Sequence, residues 1–246
     1  MRFRLFEEYA HRYDLHTPAT HYRHDHAFVL ERLTSVGTGA RRILDVGCGT
    51  GVFLVKALAA GFDAYGIDAA GGMVAQAVAK VGAARARQSA MEEIYGFERF
   101  DGICALSWVI NYATDPTSAL DILSRMHRAL APGGRLILQC AHAPNMDGEV
   151  FEDRERGPDG RPDDVVFLFQ FAATEQHRAV ARYVFAGKSL AELLWEEHPL
   201  SVADAHLVSS LARQAGFVGV TVFDSWRGDP LDSGISAWVV AERGEL

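Results

Sequence analysis

The sequence is poor in the features that mark secreted and membrane-spanning proteins. Only three cysteines occur in 246 residues, Cys48, Cys104 and Cys140. An odd number without paired spacing predicts free thiols in a reducing compartment rather than a disulfide scaffold. No apolar run approaches the roughly 18 residues that a membrane helix needs. The N-terminus has no apolar stretch typical of a signal peptide, so we expect a cytoplasmic location and no membrane partner.

Positive charge is also scarce. The chain has 24 Lys and Arg against 32 Asp and Glu, which gives a formal net charge of -8. Proteins that bind nucleic acid usually carry a basic face, so we expect no nucleic-acid partner. The hydrophobic content of 49% is that of a folded globular chain.

What the sequence does have is an alternation of strand-like and helix-like segments between residues 42 and 140. Such alternation predicts right-handed crossovers and an α/β fold with a mostly parallel, doubly wound sheet. The strands are predicted at 42–46, 64–68, 86–89, 100–106 and 135–140, and the helices at 52–60, 72–81 and 118–130.

Beyond Cys140 the pattern changes. Residues 145–164 are charged and rich in Gly and Pro, which predicts a loop. A hairpin is predicted at 165–171 and 179–185, with a third strand at 190–198, then a helix at 202–214 and strands at 218–223 and 236–240. We therefore expect one domain made of an N-terminal helical lid (1–36), a core (37–142), a β-rich cap (143–200) and a C-terminal helix with strands (201–246).

The N-terminal region predicts one helix from Thr17 to Leu33, with Thr17 as its cap and Pro18 at its first position. Apolar residues then recur at helical spacing and give one buried face.

The strongest chemical signal is Ile43-Leu44-Asp45-Val46-Gly47-Cys48-Gly49-Thr50-Gly51, a strand that runs into a glycine loop and opens a helix. Glycine lets the backbone adopt positive φ and approach a ligand closely. The helix N-terminus offers free N–H groups to an anionic group. Nucleotide-binding domains use similar loops, so the loop alone leaves the ligand open.

Asp68 narrows the choice of ligand, because it ends the next strand, 17 residues after Gly51. A carboxylate there can accept hydrogen bonds from both hydroxyls of a ribose. The spacing is G-x-G-x-G. The dinucleotide fingerprint G-x-G-x-x-G would need a glycine at position 52, where this chain has Val52. Together the loop and Asp68 indicate a cofactor of the adenosine type.

These residues resemble the class I S-adenosylmethionine-dependent methyltransferases. Asp45 to Gly51 matches the first motif of that family and Asp68 the second, and three further segments follow in the family's order: Ser89-Ala90-Met91, Phe100 to Tyr112, and Pro132-Gly133-Gly134. The family often has an acidic residue where Ser89 stands, so adenine recognition is expected to rest on backbone and Met91. The resemblance implies a Rossmann-like sheet of seven strands with an antiparallel C-terminal strand, carrying the β-rich cap after strand five.

The resemblance also implies S-adenosyl-L-methionine as cofactor and assigns its contacts. These are Tyr13, Tyr22, Asp45, Gly47, Cys48, Gly49, Gly51, Asp68, Ala69, Met73, Ala90, Met91, Leu106 and Ser107. Cys48 is expected to contribute backbone only, and Cys104 and Cys140 to be core residues on neighbouring strands.

Tyr9-Ala10-His11-Arg12-Tyr13-Asp14 resembles the subgroup that modifies sugar amines and natural products, in which N-terminal tyrosines close over the cofactor. The implied reaction is methyl transfer to nitrogen, oxygen or carbon of a small molecule, by a monomer or a homodimer. The substrate contacts expected are Tyr9, Trp108, Asn111 and Tyr112. The alternative is an S-adenosylmethionine-binding enzyme that catalyses a different reaction, such as a cyclisation.

His142 follows strand five at its carboxyl end, where open α/β sheets bind ligands. We predict it as the general base, against the alternative of a loop histidine. His11, His16, His21, His24 and His26 cluster near the N-terminus. They lack a recognised ligand spacing, so we expect no metal and instead one histidine that lines the substrate pocket.

Overall fold

The computed structural model describes residues 3–34, 42–94, 99–156, 162–187, 190 and 192–245. Within them a seven-stranded sheet forms the core, in the order β10-β11-β5-β4-β1-β2-β3. Its strands are β1 (Arg42–Val46), β2 (Asp63–Asp68), β3 (Ala86–Gln88), β4 (Phe100–Ala105), β5 (Leu130–Ala141), β10 (Phe217–Phe223) and β11 (Ser236–Arg243). β11 runs antiparallel to both of its neighbours, and the pairs among β1 to β5 are parallel. The predicted fold class is confirmed.

Helices cover both faces of this sheet. They are α1 (Tyr13–His16), α2 (Arg23–Thr34), α3 (Val52–Ala59), α4 (Gly71–Val81), α5 (Pro116–Ala129) and α6 (Ala205–Gln214). α5 begins where Asp115 accepts a hydrogen bond from the Ser118 N–H and Pro116 occupies the first turn. Cys104 and Cys140 lie buried in the core on the adjacent strands β4 and β5, as predicted.

The helix predicted from Thr17 to Leu33 was wrong in its first residue, because the helix begins later in the structure. The chain forms the short α1, which ends at His16, and α2 begins only at Arg23. The Thr17 hydroxyl donates to the Tyr13 carbonyl 2.8 Å away, so it satisfies the end of α1 instead of capping a new helix. The buried face of α2 was right, since His26, Val29 and Leu33 are all buried. The predicted lid–core boundary at residues 36 and 37 lies outside the described residues.

A second, antiparallel sheet follows β5, in the order β6-β7-β8-β9. Its strands are β6 (Asp147–Arg156), β7 (Pro162–Glu175), β8 (Arg178–Gly187) and β9 (Leu194–Leu200). The loop prediction at 145–164 is therefore wrong, because residues 147–156 form the edge strand β6 and residues 162–164 begin β7. An edge strand tolerates charged residues because it pairs with only one neighbour.

Candidate active site

The glycine loop has the positive-φ backbone that its sequence predicts. Gly47, Gly49 and Gly51 have φ values of 71°, 53° and 82°. A Cβ on Gly47 would lie 2.2 Å from the Val109 side chain, whereas a Cβ on Gly49 would meet no atom within 4 Å. Gly47 is thus fixed by packing, and Gly49 leaves open space beside the loop. α3 starts directly behind with no side-chain cap, so its first N–H groups remain for a ligand.

Asp68 is fixed in place at the end of β2. One carboxylate oxygen accepts the Gly49 N–H and the other accepts the Ala70 N–H, each at 2.9 Å. Burial raises the pKa of Asp68, and the two backbone hydrogen bonds oppose that rise. Each oxygen keeps a lone pair for a ligand, so Asp68 can still accept hydrogen bonds from two hydroxyls.

Asp45 lies deeper, at 2% exposure, where β1 enters the loop. Burial raises its pKa to about 8, and the nearby Asp68 adds to the rise. The Cys104 thiol lies 3.5 Å from its carboxyl. An approaching cation would favour the ionised form of Asp45, which makes this carboxyl sensitive to the charge of a bound molecule.

These groups line a cavity of about 600 Å³, here called the loop cavity. Its predicted lining residues are Tyr13, Tyr22, Asp45, Gly47, Cys48, Gly49, Asp68, Ala69, Met73, Ala90, Met91, Leu106 and Ser107. Gly51 does not line it but sets the start of α3, where a Cβ would come within 3.0 Å of Ala77. His26 is the N-terminal histidine that does line it, and burial lowers its pKa to about 4.

Among the described residues that line the loop cavity, acidic side chains are present and basic lysines and arginines are not. The five acidic side chains are Glu7, Asp14, Asp68, Glu92 and Asp45, of which Asp45 is protonated near neutral pH. A dinucleotide brings a negatively charged pyrophosphate, which such a wall repels. A cationic ligand is favoured instead.

The N-terminal segment covers this cavity and is attached on two sides. The Gly72 N–H donates to the Glu7 carboxylate at 2.9 Å. The Thr50 hydroxyl donates to Asp14 at 2.5 Å, and Lys80 forms an ion pair with the same carboxylate. The segment therefore closes over the glycine loop through contacts that a few side chains control.

A second cavity of about 350 Å³, here called the aromatic cavity, adjoins the first. Five residues line both cavities and so mark their junction: Phe6, Tyr13, Tyr22, Ser107 and Tyr112. The rest of its wall is largely aromatic and comes from Trp108 and from the second sheet, through Phe167, Phe169, Phe171 and Tyr183. Asp25 is the charged residue among the described lining residues, and Gln139 donates to its carboxylate at 3.1 Å.

Of the four predicted substrate contacts, Trp108 and Tyr112 line the aromatic cavity, whereas Asn111 and Tyr9 do not. Asn111 is fully buried, where its amide donates to the Val202 carbonyl and accepts the Ala141 N–H. Tyr9 stacks on Phe185 at 5.8 Å and lines neither cavity. Asn111 is a structural residue that ties the end of β5 to the turn before α6.

His142 was predicted as the base, and the structure places it elsewhere. It is 5% exposed and lines neither cavity. Its Nδ1 accepts the Ala205 N–H at 3.3 Å and lies 3.5 Å from the Asp204 carboxylate, at the start of α6. The side chain packs at the start of α6 and outside both cavities, so we do not propose His142 as the base.

Sequence reasoning missed Asp25, Gln139 and His198. Asp25 stands between His24 and His26 with no motif of its own, and Gln139 lies inside a strand with no motif to mark it. His198 lies in β9, and it is fully buried with its Nδ1 2.8 Å from the Tyr112 hydroxyl. Across the described ranges, no group of three or more His, Cys, Asp or Glu is arranged to hold a metal ion. No helix there is long and apolar enough to cross a membrane.

Comparison with known proteins finds a likeness in the part of the chain that holds the glycine loop. Residues 43–134 match the family described as a methyltransferase domain. The chain is 33% identical over 153 residues to a protein of Geobacillus sp. (strain WCH70) and 29% identical over 140 residues to YqeM of Bacillus subtilis (strain 168), both named for an inferred methyltransferase activity. These matches cover 60% and 55% of this chain, and the chain spans 62% and 56% of those relatives.

Solved structures resemble this chain over nearly its whole length. The sugar N-methyltransferase KedS8 of Streptoalloteichus sp. ATCC 53650 is 26% identical, with a TM-score of 0.77 over 95% of this chain and 93% of its own. CalS10, an amino pentose methyltransferase of Micromonospora echinaspora, is 24% identical, with a TM-score of 0.72 over 99% and 98%. DesVI of Streptomyces venezuelae is 19% identical, with a TM-score of 0.77 over 95% and 97%. The likeness includes the second sheet as well as the core.

Proposed function

We propose that this methyltransferase transfers a methyl group from S-adenosylmethionine to an amine nitrogen of a small, uncharged or cationic acceptor. The observation that carries this proposal is that the loop cavity adjoins the aromatic cavity. Among the described residues that line the aromatic cavity, Asp25 is the charged one. KedS8 and CalS10, which are named for sugar substrates, support a small amino-bearing molecule by their likeness.

The loop cavity fits the cofactor in shape and charge. Gly49 leaves open space at the loop, Asp68 holds free acceptor positions, and five acidic side chains face a ligand that carries both a sulfonium and an ammonium. When bound, S-adenosylmethionine supplies an electrophilic methyl group. Asp68 would hold the ribose hydroxyls, and Asp45 would favour the ammonium of the methionine portion.

The aromatic cavity fits an amine acceptor. Aromatic faces attract cations, and a carboxylate in an apolar wall holds an ammonium strongly. Burial raises the pKa of Asp25, so this carboxylate is a better proton acceptor than an exposed one. An amine must lose its proton before it attacks, and Asp25 would both hold the acceptor and take that proton. After that, alignment of nucleophile and methyl group lowers the barrier.

The same wall disfavours acceptors that carry phosphate. Among its described residues the aromatic cavity has no lysine, arginine or histidine. Phosphate-binding sites normally supply such groups or a helix N-terminus. We therefore expect amino sugars and amine natural products without phosphate to be better acceptors than nucleotide-linked sugars.

The test is release of S-adenosylhomocysteine with matched acceptor pairs that differ only in an amine or a hydroxyl. We expect turnover with the amine and little with the hydroxyl partner. Asp25→Asn should lower turnover at least about tenfold, because the acid–base group is lost. Asp121→Asn, an exposed carboxylate paired with Arg125, is the control. Equal turnover of both partners, with Asp25→Asn fully active, would contradict the amine assignment.

A further inference from the structure

Tyr112 lies at the junction between the two cavities, and a buried histidine forms a hydrogen bond with its hydroxyl. Its side chain lines both cavities, while its hydroxyl lies 2.8 Å from Nδ1 of His198. His198 itself lines neither cavity and is 0% exposed. Its ring stacks on Phe3 at 3.7 Å and meets the edge of Tyr183 at 4.8 Å.

The direction of the hydrogen bond between Tyr112 and His198 follows from the other nitrogen of the ring. Nε2 of His198 lies 3.6 Å from the Glu196 carboxylate. A lone pair facing a carboxylate would be repelled, so the proton of the neutral ring belongs on Nε2. Nδ1 then carries the lone pair, and the Tyr112 hydroxyl must donate to it.

The ring remains neutral under ordinary conditions. Burial lowers the pKa of His198 to about 3, because the charged ring would lose its stabilisation by water. Glu196 is itself held in place, since the backbone N–H groups of Arg4 and Leu5 donate to its two oxygens at 2.7 and 3.0 Å. The Tyr112 hydroxyl thus donates to Nδ1, while Nε2 faces the Glu196 carboxylate at 3.6 Å without a hydrogen bond between them.

The geometry points to Tyr112 as a hydrogen-bond acceptor that positions the nucleophile of the methyl acceptor at the cavity junction, with His198 and Glu196 as positioning residues. Its only hydrogen is committed to His198, so its oxygen can receive a hydrogen but not give one. It therefore selects a nucleophile that still carries an N–H or O–H, such as a primary or secondary amine. This inference rests on the proposed function for the identity of that nucleophile.

The first test uses the protein without ligand. ¹⁵N NMR of the histidine-labelled protein, with the His198 signal assigned through His198→Asn, reports which ring nitrogen carries the proton. We expect Nε2 protonated and Nδ1 unprotonated. A proton on Nδ1 in the native protein would reverse the direction of donation and overturn the proposal.

The second test separates positioning from packing. Tyr112→Phe should lower kcat by about tenfold or more with the affinity for S-adenosylhomocysteine unchanged within about twofold, because orientation and not binding is lost. His198→Leu should lower kcat similarly although it touches neither cavity. His198→Asn should recover most of the loss, since its amide oxygen can accept the hydroxyl hydrogen where Nδ1 did.

Tyr65→Phe is the matched control, because Tyr65 packs against Arg42 and Arg85 away from both cavities. Full kcat in Tyr112→Phe, or equal losses in both His198 variants, would overturn the positioning role. Failure of the proposed function looks different: the native protein itself would then release no S-adenosylhomocysteine with any amine. In that case the acceptor assignment of Tyr112 falls with it.

Discussion

The loop cavity and the aromatic cavity share a junction but are built in different ways. The loop cavity depends on backbone: glycines at positive φ, a helix start and a carboxylate held by two N–H groups within residues 45 to 70. The aromatic cavity depends on side chains from separate parts of the chain, from Asp25 in α2 to Tyr183 in β8. A fixed cofactor is suited to the first design, and a variable acceptor to the second, because side chains change without disturbing the sheet.

The largest effect is expected at the backbone-built cavity. Asp68→Ala should weaken binding of S-adenosylhomocysteine by about 10- to 100-fold, since each hydrogen bond to a charged group contributes about 1.5–3 kcal/mol. Isothermal titration measures the change. Asp121→Ala, on the exposed face of α5, should bind normally. Unchanged affinity in Asp68→Ala would remove the ribose role from this residue.

The next prediction concerns His142, which lies outside both cavities. His142→Ala should lower the free energy of unfolding by about 1–3 kcal/mol, because the Ala205 N–H at the start of α6 loses its buried acceptor. Turnover of the folded variant should stay within about twofold of the native value. Denaturant unfolding and S-adenosylhomocysteine release measure the two quantities. A hundredfold loss of turnover with normal stability would restore His142 as a catalytic group.

A smaller effect is expected at Asp45, where one substitution should raise the stability of the protein and weaken ligand binding. Its folded pKa of about 8 lies above the unfolded value of 3.8. The unfolded chain therefore releases this proton first, and the protein loses stability as the pH rises from about 4 to about 8. Asp45→Asn should be more stable than the native protein by at least about 1 kcal/mol at pH 8 and by less at pH 5.

Urea unfolding at the two pH values measures this difference, with Asp121→Asn as control. The same variant should bind S-adenosylhomocysteine more weakly, because the amide cannot pair with an ammonium. A stability gain that is equal at pH 5 and pH 8 would show that Asp45 is ionised in the folded protein.

The smallest expected effect is at the N-terminal segment that covers the junction. Amide hydrogen exchange in residues 3–26 should slow when S-adenosylhomocysteine is added, since a closed lid excludes water from the site. Asp14→Asn should reduce that protection, because its carboxylate joins the segment to Thr50 and Lys80. Unchanged exchange at saturating ligand would identify the segment as ordinary packing.

The sequence predicted the backbone-built cavity well. Glycine spacing and a carboxylate at a strand end are local features, and 13 of the 14 cofactor residues proposed from them and from the resemblance line one cavity. Gly51 is the exception, and it acts through the start of α3. The structure places the side chains of Asn111 and His142 outside both cavities, because a position after a strand does not determine which way a side chain turns.

The succession of strands and helices over residues 42–140, the glycine loop and Asp68 were therefore determined by the sequence itself, since periodicity and local backbone preference act over a few residues. Only the tertiary structure decided which side chains meet at the aromatic cavity. Asp25 and Gln139 are 114 positions apart, and Tyr112 and His198 are 86 apart. Such contacts depend on how the second sheet and the N-terminal segment pack on the core, and packing over these separations leaves no periodic trace in the chain.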